Sequence, residues 1–369
     1  MVERRGVWLA QYIMEKKVLA IFSFTEAGSR QNTALCEILS GQGVFCVGYA
    51  PARYAAGGGL ETLPEDLDRW IGERWGRQDF LFIGAAGIAV RCIAPWVRDK
   101  YTDSAVLVMD EGGDYIIPLL SGHVGGAVEL SQKIGQAVGA KPVITTATDV
   151  KKKFAVDVFA HRNDLLIGNR ELAKAVSASV LDGQEVGFCS DYPWEGTLPP
   201  ELTPCAGVEE LRKSRKPGVM VTARREQKSC PEERILFLSP KKIVAGIGCR
   251  RGIPGEELER GLSQVLEEQG FYIEQLCALA SIDLKKEEPG IVWLARKLQI
   301  PFYTYTAGEL AQVESASEGS LFVQQVTGVD NVCERAALLC SPEGRMLLPK
   351  RKCSGMTVAL VEQPIMLRF

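Results

Sequence analysis

Histidine is the scarcest chemistry-bearing residue here: the 369-residue chain has two, His123 and His161. No CxxC pair occurs, and the eleven cysteines are scattered and odd in number. A cysteine zinc site and a disulfide framework are therefore not expected, and free thiols in a reducing cytoplasm are the plain reading. No apolar run reaches the ~18 residues of a membrane span. Residues 6–14 are apolar after two arginines, but Glu15, Lys16 and Lys17 follow without a small-residue cleavage site. A signal peptide is not expected from that pattern. Neither sign of charge dominates, with 43 basic against 46 acidic side chains and a net charge of -3. No bulk positive field exists to hold a nucleic-acid backbone, although local basic clusters remain able to bind a small anion.

What is present describes a folded enzyme-sized chain. Apolar residues make up 46% and charged residues 24%, a globular mix. The length predicts two or three domains. Residues 18–24 (VLAIFSF) read as a buried strand, Thr25 as the cap of a helix to about Leu39, and 44–47 as the next strand. Residues 50–63 hold three consecutive glycines and read as a loop. Helices are predicted over 67–75 and 88–97, and strands over 80–83, 105–110, 115–120 and 143–146. The EGGD turn predicts one antiparallel hairpin. A helix is expected from about Ala127 to Val138.

Lys151–Lys153 mark a composition shift, and residues 151–240 read as a smaller, less regular middle domain. A second clear α/β pattern begins at Lys241, with strands over 243–246, 302–305 and 357–361 and helices over 254–268, 291–298, 307–313 and 330–339. The fold class predicted is α/β. Two three-layer units, 17–150 and 241–369, are joined by the middle domain, after an extension at 1–16.

Five motifs carry polar groups at element ends. Residues 83–90 (IGAAGIAV) place Gly84 and Gly87 where a strand meets a helix, which lets backbone N–H groups approach an anion. A tight turn explains them as well, and the run is not the GxGxxG dinucleotide fingerprint. Residues 119–129 (LLSGHVGGAVE) set His123 between Gly122 and the pair Gly125 and Gly126, with Ser121 before it and Glu129 one turn into the helix. Histidine titrates near pH ~6.5, which suits proton transfer at neutral pH. The alternative is a histidine that only caps the turn. Residues 109–114 (MDEGGD), including Asp110, fit a metal or acid–base site or a solvated hairpin turn. Thr145 and Thr146 end a strand, as a crevice wall or as a cap.

Residues 245–252 (AGIGCRRG) combine Gly246 and Gly248 with Cys249, Arg250 and Arg251. Arginines grip carboxylates two-pronged, and a thiolate at Cys249 fits such a positive field. A buried inert cysteine with two solvated arginines fits equally. Residues 279–290 (LASIDLKKEEPG) bring Ser281, Asp283 and Lys285, or simply a strand and a capped helix start. Residues 348–352 (LPKRK), with Lys350, add a basic edge.

Taken together in order, these runs resemble the cobalt-precorrin-5A hydrolases of anaerobic cobalamin biosynthesis. The amino-terminal likeness lies in residues 84–95, 100–103 (KYTD), 105–110 (AVLVMD), 119–129 and 142–149 (PVITTATD). The carboxy-terminal likeness lies in 246–252, 279–290, 329–339 and 356–360 (MTVAL). The resemblance covers about 17–363. The carboxy-terminal part alone is also similar to a small stand-alone protein of the aerobic route, and a chain with both parts points to the hydrolase. Residues 1–16 have no counterpart, Val128 stands where the family pattern implies asparagine, and Cys92 replaces an aliphatic residue.

The resemblance implies a substrate and a reaction. The substrate is a cobalt-bearing methylated tetrapyrrole with a lactone between the ring A acetate and the carbon bridging rings A and D. Water opens the lactone, and the bridging carbon leaves with its methyl as acetaldehyde. No added cofactor and no protein-bound metal are implied, because the substrate carries the cobalt. His123 is the implied base, with Ser121, Asp110 and Glu129 beside it in the catalytic set. Backbone donors at Gly84–Gly87 or Gly122–Gly126 would face the oxyanion. Arg91, Arg250, Arg251, Lys285 and Lys350 would clamp the substrate carboxylates. Thr145, Thr146, Gly246, Gly248, Cys249, Ser281 and Asp283 would line a cleft between the amino- and carboxy-terminal units. Other cobalamin-pathway enzymes are the implied protein partners, and neither nucleic acid nor membrane is. The rival readings are a non-catalytic tetrapyrrole carrier, a nucleotide site at 246–252 that lacks a GK[ST] ending, and a serine esterase at Ser121 outside a GxSxG elbow.

Overall fold

Short apolar strands followed by amphipathic helices alternate along the chain. The computed structural model describes residues 18–57, 59–99, 102–122, 125–145, 153–214, 216–224, 234–314 and 331–369. They form two compact units, residues 18–161 and 162–369.

The first unit is built on β1 (Leu19–Ser23), β2 (Cys46–Ala50), β3 (Glu61–Thr62), β4 (Asp79–Ile83), β5 (Val106–Met109), β6 (Tyr115–Leu120) and β7 (Lys141–Pro142). Their order is β3-β2-β1-β4-β5-β6-β7. Strands β1 to β5 run parallel, β6 is antiparallel to β5, and β7 is parallel to β6. Side chains alternate between faces, as a strand requires. Leu19, Ile21, Leu81, Ile83 and Leu107 pack on α1 (Glu26–Gly41) and α4 (Ala127–Val138). Ala20, Phe22, Phe80, Phe82 and Val108 pack on α2 (Leu67–Arg74) and α3 (Ala86–Ile93). Phe22, Phe80 and Phe82 are fully buried, and each removes roughly 2 kcal/mol worth of apolar surface from water. Thr25 caps α1 by accepting the Gly28 N–H at 3.1 Å.

Two local expectations are corrected. Residues 50–63 are not wholly loop, because Glu61 and Thr62 pair in parallel with Tyr49 and Ala50 as an edge strand. Two residues are too few to show a period. The strand expected at 143–146 lies at 141–142 instead, and only Val143 continues its bonding, donating to the Ile116 carbonyl. Pro142 is tolerated there because β7 is an edge.

The second unit holds two larger sheets. The stretch read as less regular is itself organised as β8 (Leu165–Ile167), α5 (Arg170–Leu181), β9 (Val186–Ser190), β10 (Trp194–Glu195), β11 (Leu202–Pro204), α6 (Val208–Ser214), β12 (Gly218–Val221) and β13 (Ile235–Pro240). Five of these strands form one sheet, ordered β11-β9-β12-β13-β8. Strand β8 is antiparallel to β13, and the other neighbours run parallel.

The carboxy-terminal sheet is ordered β16-β15-β14-β18-β17. It comprises β14 (Ile243–Cys249), β15 (Leu276–Ile282), β16 (Phe302–Tyr305), β17 (Arg345–Cys353) and β18 (Met356–Glu362). Helices α7 (Gly255–Glu268) and α8 (Pro289–Leu298) cover one face, and α9 (Val332–Cys340) packs on the other. Strand β19 (Leu367–Arg368) returns to pair with β10. Asn163 clamps it by donating to the Arg368 carbonyl and accepting the Arg368 N–H at 2.7 Å.

Candidate active site

Within the first unit, β1 leads to β2 on one side, whereas its other neighbour, β4, leads to β5. The adjacent tips of β1 and β4 are therefore a topological switch point, where open α/β sheets bind ligands. Gly84 sits at that tip with φ +146°, a backbone conformation that side chains rarely adopt. Ala85 gives α3 no side-chain cap, so no cap spends the first N–H groups beside the exposed Gly87. Exposed Arg91 reaches back to the Gly87 carbonyl at 3.3 Å. This edge suits an anion. Asp110 belongs to it too, but its Oδ1 accepts the Tyr115 N–H at 2.6 Å and its Oδ2 the Gly112 N–H at 3.1 Å. Both oxygens hold the hairpin turn.

Ser121 lies at the other edge of the same sheet. The antiparallel register sets Leu120 opposite Val106 and Ile116 opposite Met109. The turn after β6 is thus about 10 Å from the β5 carboxyl tip, at ~3.3 Å per strand residue. The end of β6 that carries Ser121 thus faces away from the β5 carboxyl tip, because β6 runs against its neighbour. Exposed Thr145 follows β7 toward this same edge. His123 and Thr146 lie outside the described residues.

Ser121 is distinctive in three respects. Its φ is +55°, rare for a residue with a side chain. It is 8% exposed, and its hydroxyl has no hydrogen-bond partner among the described residues. Its carbonyl accepts the Ala127 N–H as α4 begins. A Cβ on Gly125 would lie 2.3 Å from the Ser121 Cβ, so glycine alone fits that close turn. Gly122 accepts the Val128 N–H and Gly126 the Leu130 N–H, which fastens the turn to the helix. Glu129 is exposed in the first turn, where a carboxylate complements the helix dipole.

In the second unit, the parallel strands β14 and β15 bring Cys249, Arg250 and Arg251 to the same edge as Asp283 and Lys285. The loop between them is organised by Glu288. Its Oε1 accepts the Gly252 N–H at 2.6 Å, and its Oε2 accepts Lys285 Nζ at 2.8 Å. Burial opposes ionisation of Glu288, but the Lys285 and Gly252 hydrogen bonds and the charges of Lys285 and Arg251 outweigh it. The net effect holds its carboxyl below the usual range. Arg250 is spent on Glu257, whose two oxygens both lie 3.1 Å from Nη2. Arg251 is exposed, with no ion pair recorded among the described residues. Burial pushes the Cys249 thiol up to about 11, against the opposing pull of Lys285. It is therefore a thiol at neutral pH, and the thiolate expected from its arginine neighbours is not supported.

Other expected contacts have packing explanations. A Cβ on Gly246 would meet the Cys333 carbonyl oxygen at 1.9 Å, because α9 rests directly on β14. A Cβ on Gly248 would lie 2.6 Å from Thr357 Oγ1. The Ser281 hydroxyl is fully buried and donates to the Ile247 carbonyl at 2.6 Å, stitching β15 to β14. Lys350 lies on β17, and its N–H donates to the buried Glu334 at 2.5 Å. Sequence reasoning missed Glu288 as the loop anchor. The signal was an acidic residue directly before Pro289, at the start of a helix. Among the described residues, no group of three or more His, Cys, Asp or Glu is placed to hold a metal ion.

The fold and these strand-tip sites define a multidomain α/β protein with polar chemistry at sheet edges. The chain also matches three family models: the cobalamin synthesis G amino-terminal region over residues 69–149, the cobalamin biosynthesis central region over 154–240, and the cobalamin synthesis G carboxy terminus over 243–361. It is 38% identical over 288 residues to the cobalt-precorrin-5A hydrolase of Salmonella typhimurium, covering 76% of this chain and 80% of that protein. It is 34% identical to the same-named protein of Priestia megaterium, covering 77% and 78%. A third relative, protein CobE of a Sinorhizobium species, is 31% identical over 127 residues, 34% of this chain and 82% of that one. The chain belongs to the cobalt-precorrin-5A hydrolase family, and it is a hydrolase of cobalamin biosynthesis.

Proposed function

We propose that this chain hydrolyses the ring A lactone of a cobalt-bearing tetrapyrrole and releases the bridging carbon as acetaldehyde. Water adds to the lactone carbonyl while His123 takes its proton. The acyl carbon–oxygen bond then breaks, and the departing oxygen, on the bridging carbon, is protonated. Loss of that hydroxyl proton drives cleavage of the carbon–carbon bond. The electron pair passes to the macrocycle, and acetaldehyde departs. The Ser121 hydroxyl and the N–H groups of Gly122, Gly125 and Gly126 donate to the oxyanion. The described cysteines are free thiols, which supports a cytoplasmic setting.

The observation that carries this reading is Ser121: a buried hydroxyl without a partner among the described residues, on backbone at φ +55°, in a glycine turn. Both features cost free energy, and such costs collect at functional sites. The test incubates purified protein with the lactone substrate and traps acetaldehyde. His123→Ala and Ser121→Ala should each release it far more slowly. Normal turnover by His123→Ala would remove the base assigned here.

A further inference from the structure

A cavity of about 390 Å³ opens within the second unit, lined by Asp191, Tyr192, Thr222, Ala223, Arg224, Phe271, Arg345 and Glu362. Its position follows from topology. Strand β9 is flanked by β11 on one side and β12 on the other. The chain leaving β9 goes to β11, while the chain leaving β12 goes to β13 on the opposite side. The tips of β9 and β12 thus form a second topological switch point, the place where open parallel sheets take ligands. Asp191 and Tyr192 follow β9 directly, and Thr222 to Arg224 follow β12.

The carboxy-terminal sheet supplies the facing wall, and its polar groups are fixed. Glu362 is 6% exposed. Its Oε1 accepts the Tyr192 hydroxyl at 2.7 Å, and its Oε2 accepts Arg345 Nη2 at 2.7 Å. That pairs Glu362 with one nitrogen of Arg345, whose side chain is otherwise largely exposed. Arg224 is exposed, with no side-chain partner recorded among the described residues. Thr222 Oγ1 accepts the Arg224 N–H at 3.3 Å and keeps its own proton to donate. Gln275 Nε2 holds the Ala223 carbonyl at 2.8 Å, which anchors the β12 tip to the facing sheet.

The donor set selects the ligand. Strand β9 runs into β10 rather than a helix, so no helix N-terminus follows it to cradle a phosphate. Two guanidinium forks and a hydroxyl instead match a planar carboxylate. Ala223 and Phe271 provide apolar contact for a short alkyl stem. Asp191 also lines the cavity, and its negative charge tempers the affinity for anions.

We infer that this cavity binds an alkyl carboxylate, held by Arg224, Arg345 and Thr222 at the β9/β12 switch point. The carboxylate comes either from a free small acid or from an acetate or propionate arm of a tetrapyrrole. Only the second source rests on the function proposed above.

The test is titration calorimetry on the full chain, with glutarate and, separately, uroporphyrin as probes. Arg224→Ala should weaken binding about tenfold, and Asp191→Asn should strengthen it about threefold, because the two remove opposite charges. Both side chains are exposed, so both variants should fold. Glutarate alone responding in that order identifies a free-acid site. Uroporphyrin responding identifies a tetrapyrrole arm. The inference is overturned if neither probe binds, or if binding ignores both substitutions. Because no turnover is read, failure here leaves the lactone-opening assignment to its own assay.

Discussion

Glu288 accepts the Gly252 N–H at 2.6 Å, tying a helix start to the glycine that closes the arginine loop. The bond spans 36 residues, and the same carboxylate pairs with Lys285 at 2.8 Å. One buried acid thus sets the shape of the loop carrying Arg250 and Arg251. Gly252 itself has φ +72°, so its turn depends on glycine as well as on this anchor.

Glu288→Gln keeps the shape but removes the charge. Loss of charge-assisted bonds at a buried site should cost about 2 kcal/mol. The pH dependence has a definite sign. The Glu288 carboxyl lies below its ordinary value of 4.5 when folded. Its stabilisation is therefore complete above that value and is lost as pH falls through the folded pKa. Urea unfolding from pH 7 down to pH 3 should show the wild type losing its advantage over Glu288→Gln in the acid range. A constant difference at all pH values would mean that the charge is irrelevant.

Gly246→Ala tests whether that glycine serves packing. The added methyl would overlap the Cys333 carbonyl oxygen, a backbone atom of α9 that cannot rotate away. A loss of about 3 kcal/mol in unfolding free energy is expected. Gly207→Ala is the control, because nothing lies within 4 Å of the added carbon. Equal stability of the two variants would show that α9 shifts freely and that packing does not require glycine at 246.

Much of the architecture was legible because strands and helices in this chain obey their own periods. The helix from Ala127 to Val138 and the strands at 115–120 and 302–305 fall where the pattern places them. The short edge strand Glu61–Thr62 and the middle sheet were harder. Strands of two to six residues separated by turn-rich segments show little alternation. The site was less legible for a different reason. Strand direction decides which edge a tip occupies, and sequence proximity does not reveal it. Gly84 and Ser121 both follow strands, yet the antiparallel β6 sends them to opposite edges. Likewise, Tyr192 and Glu362 meet across 170 residues with no motif to announce them.

Cysteine chemistry should rank the thiols in an order opposite to the one their neighbours suggest. Cys249 sits beside two arginines, but burial raises it to about 11. At pH 7.5 its thiolate fraction is on the order of one in a thousand or less. The half-buried Cys46 is pulled down instead, chiefly by its hydrogen bond with Cys36. Brief iodoacetamide treatment with peptide mapping should modify Cys46 well before Cys249, and Cys249→Ala should keep turnover within about threefold. Early labelling of Cys249 would restore it as a nucleophile.

Ser121 separates strain from function. Its φ of +55° costs about 1 kcal/mol, and its buried hydroxyl has no described partner. Ser121→Gly removes both burdens and should raise unfolding free energy by about 1 kcal/mol. Ser121→Ala relieves only the unpartnered hydroxyl and keeps the strained backbone, so it should gain less stability than Ser121→Gly. If the hydroxyl donates to the oxyanion, both variants should lose acetaldehyde release by about a hundredfold in kcat. Stability and turnover would then move in opposite directions in the glycine variant. A glycine variant that is both less stable and less active would instead make Ser121 a structural residue of the turn, because a strained residue kept for packing has no reason to improve when replaced.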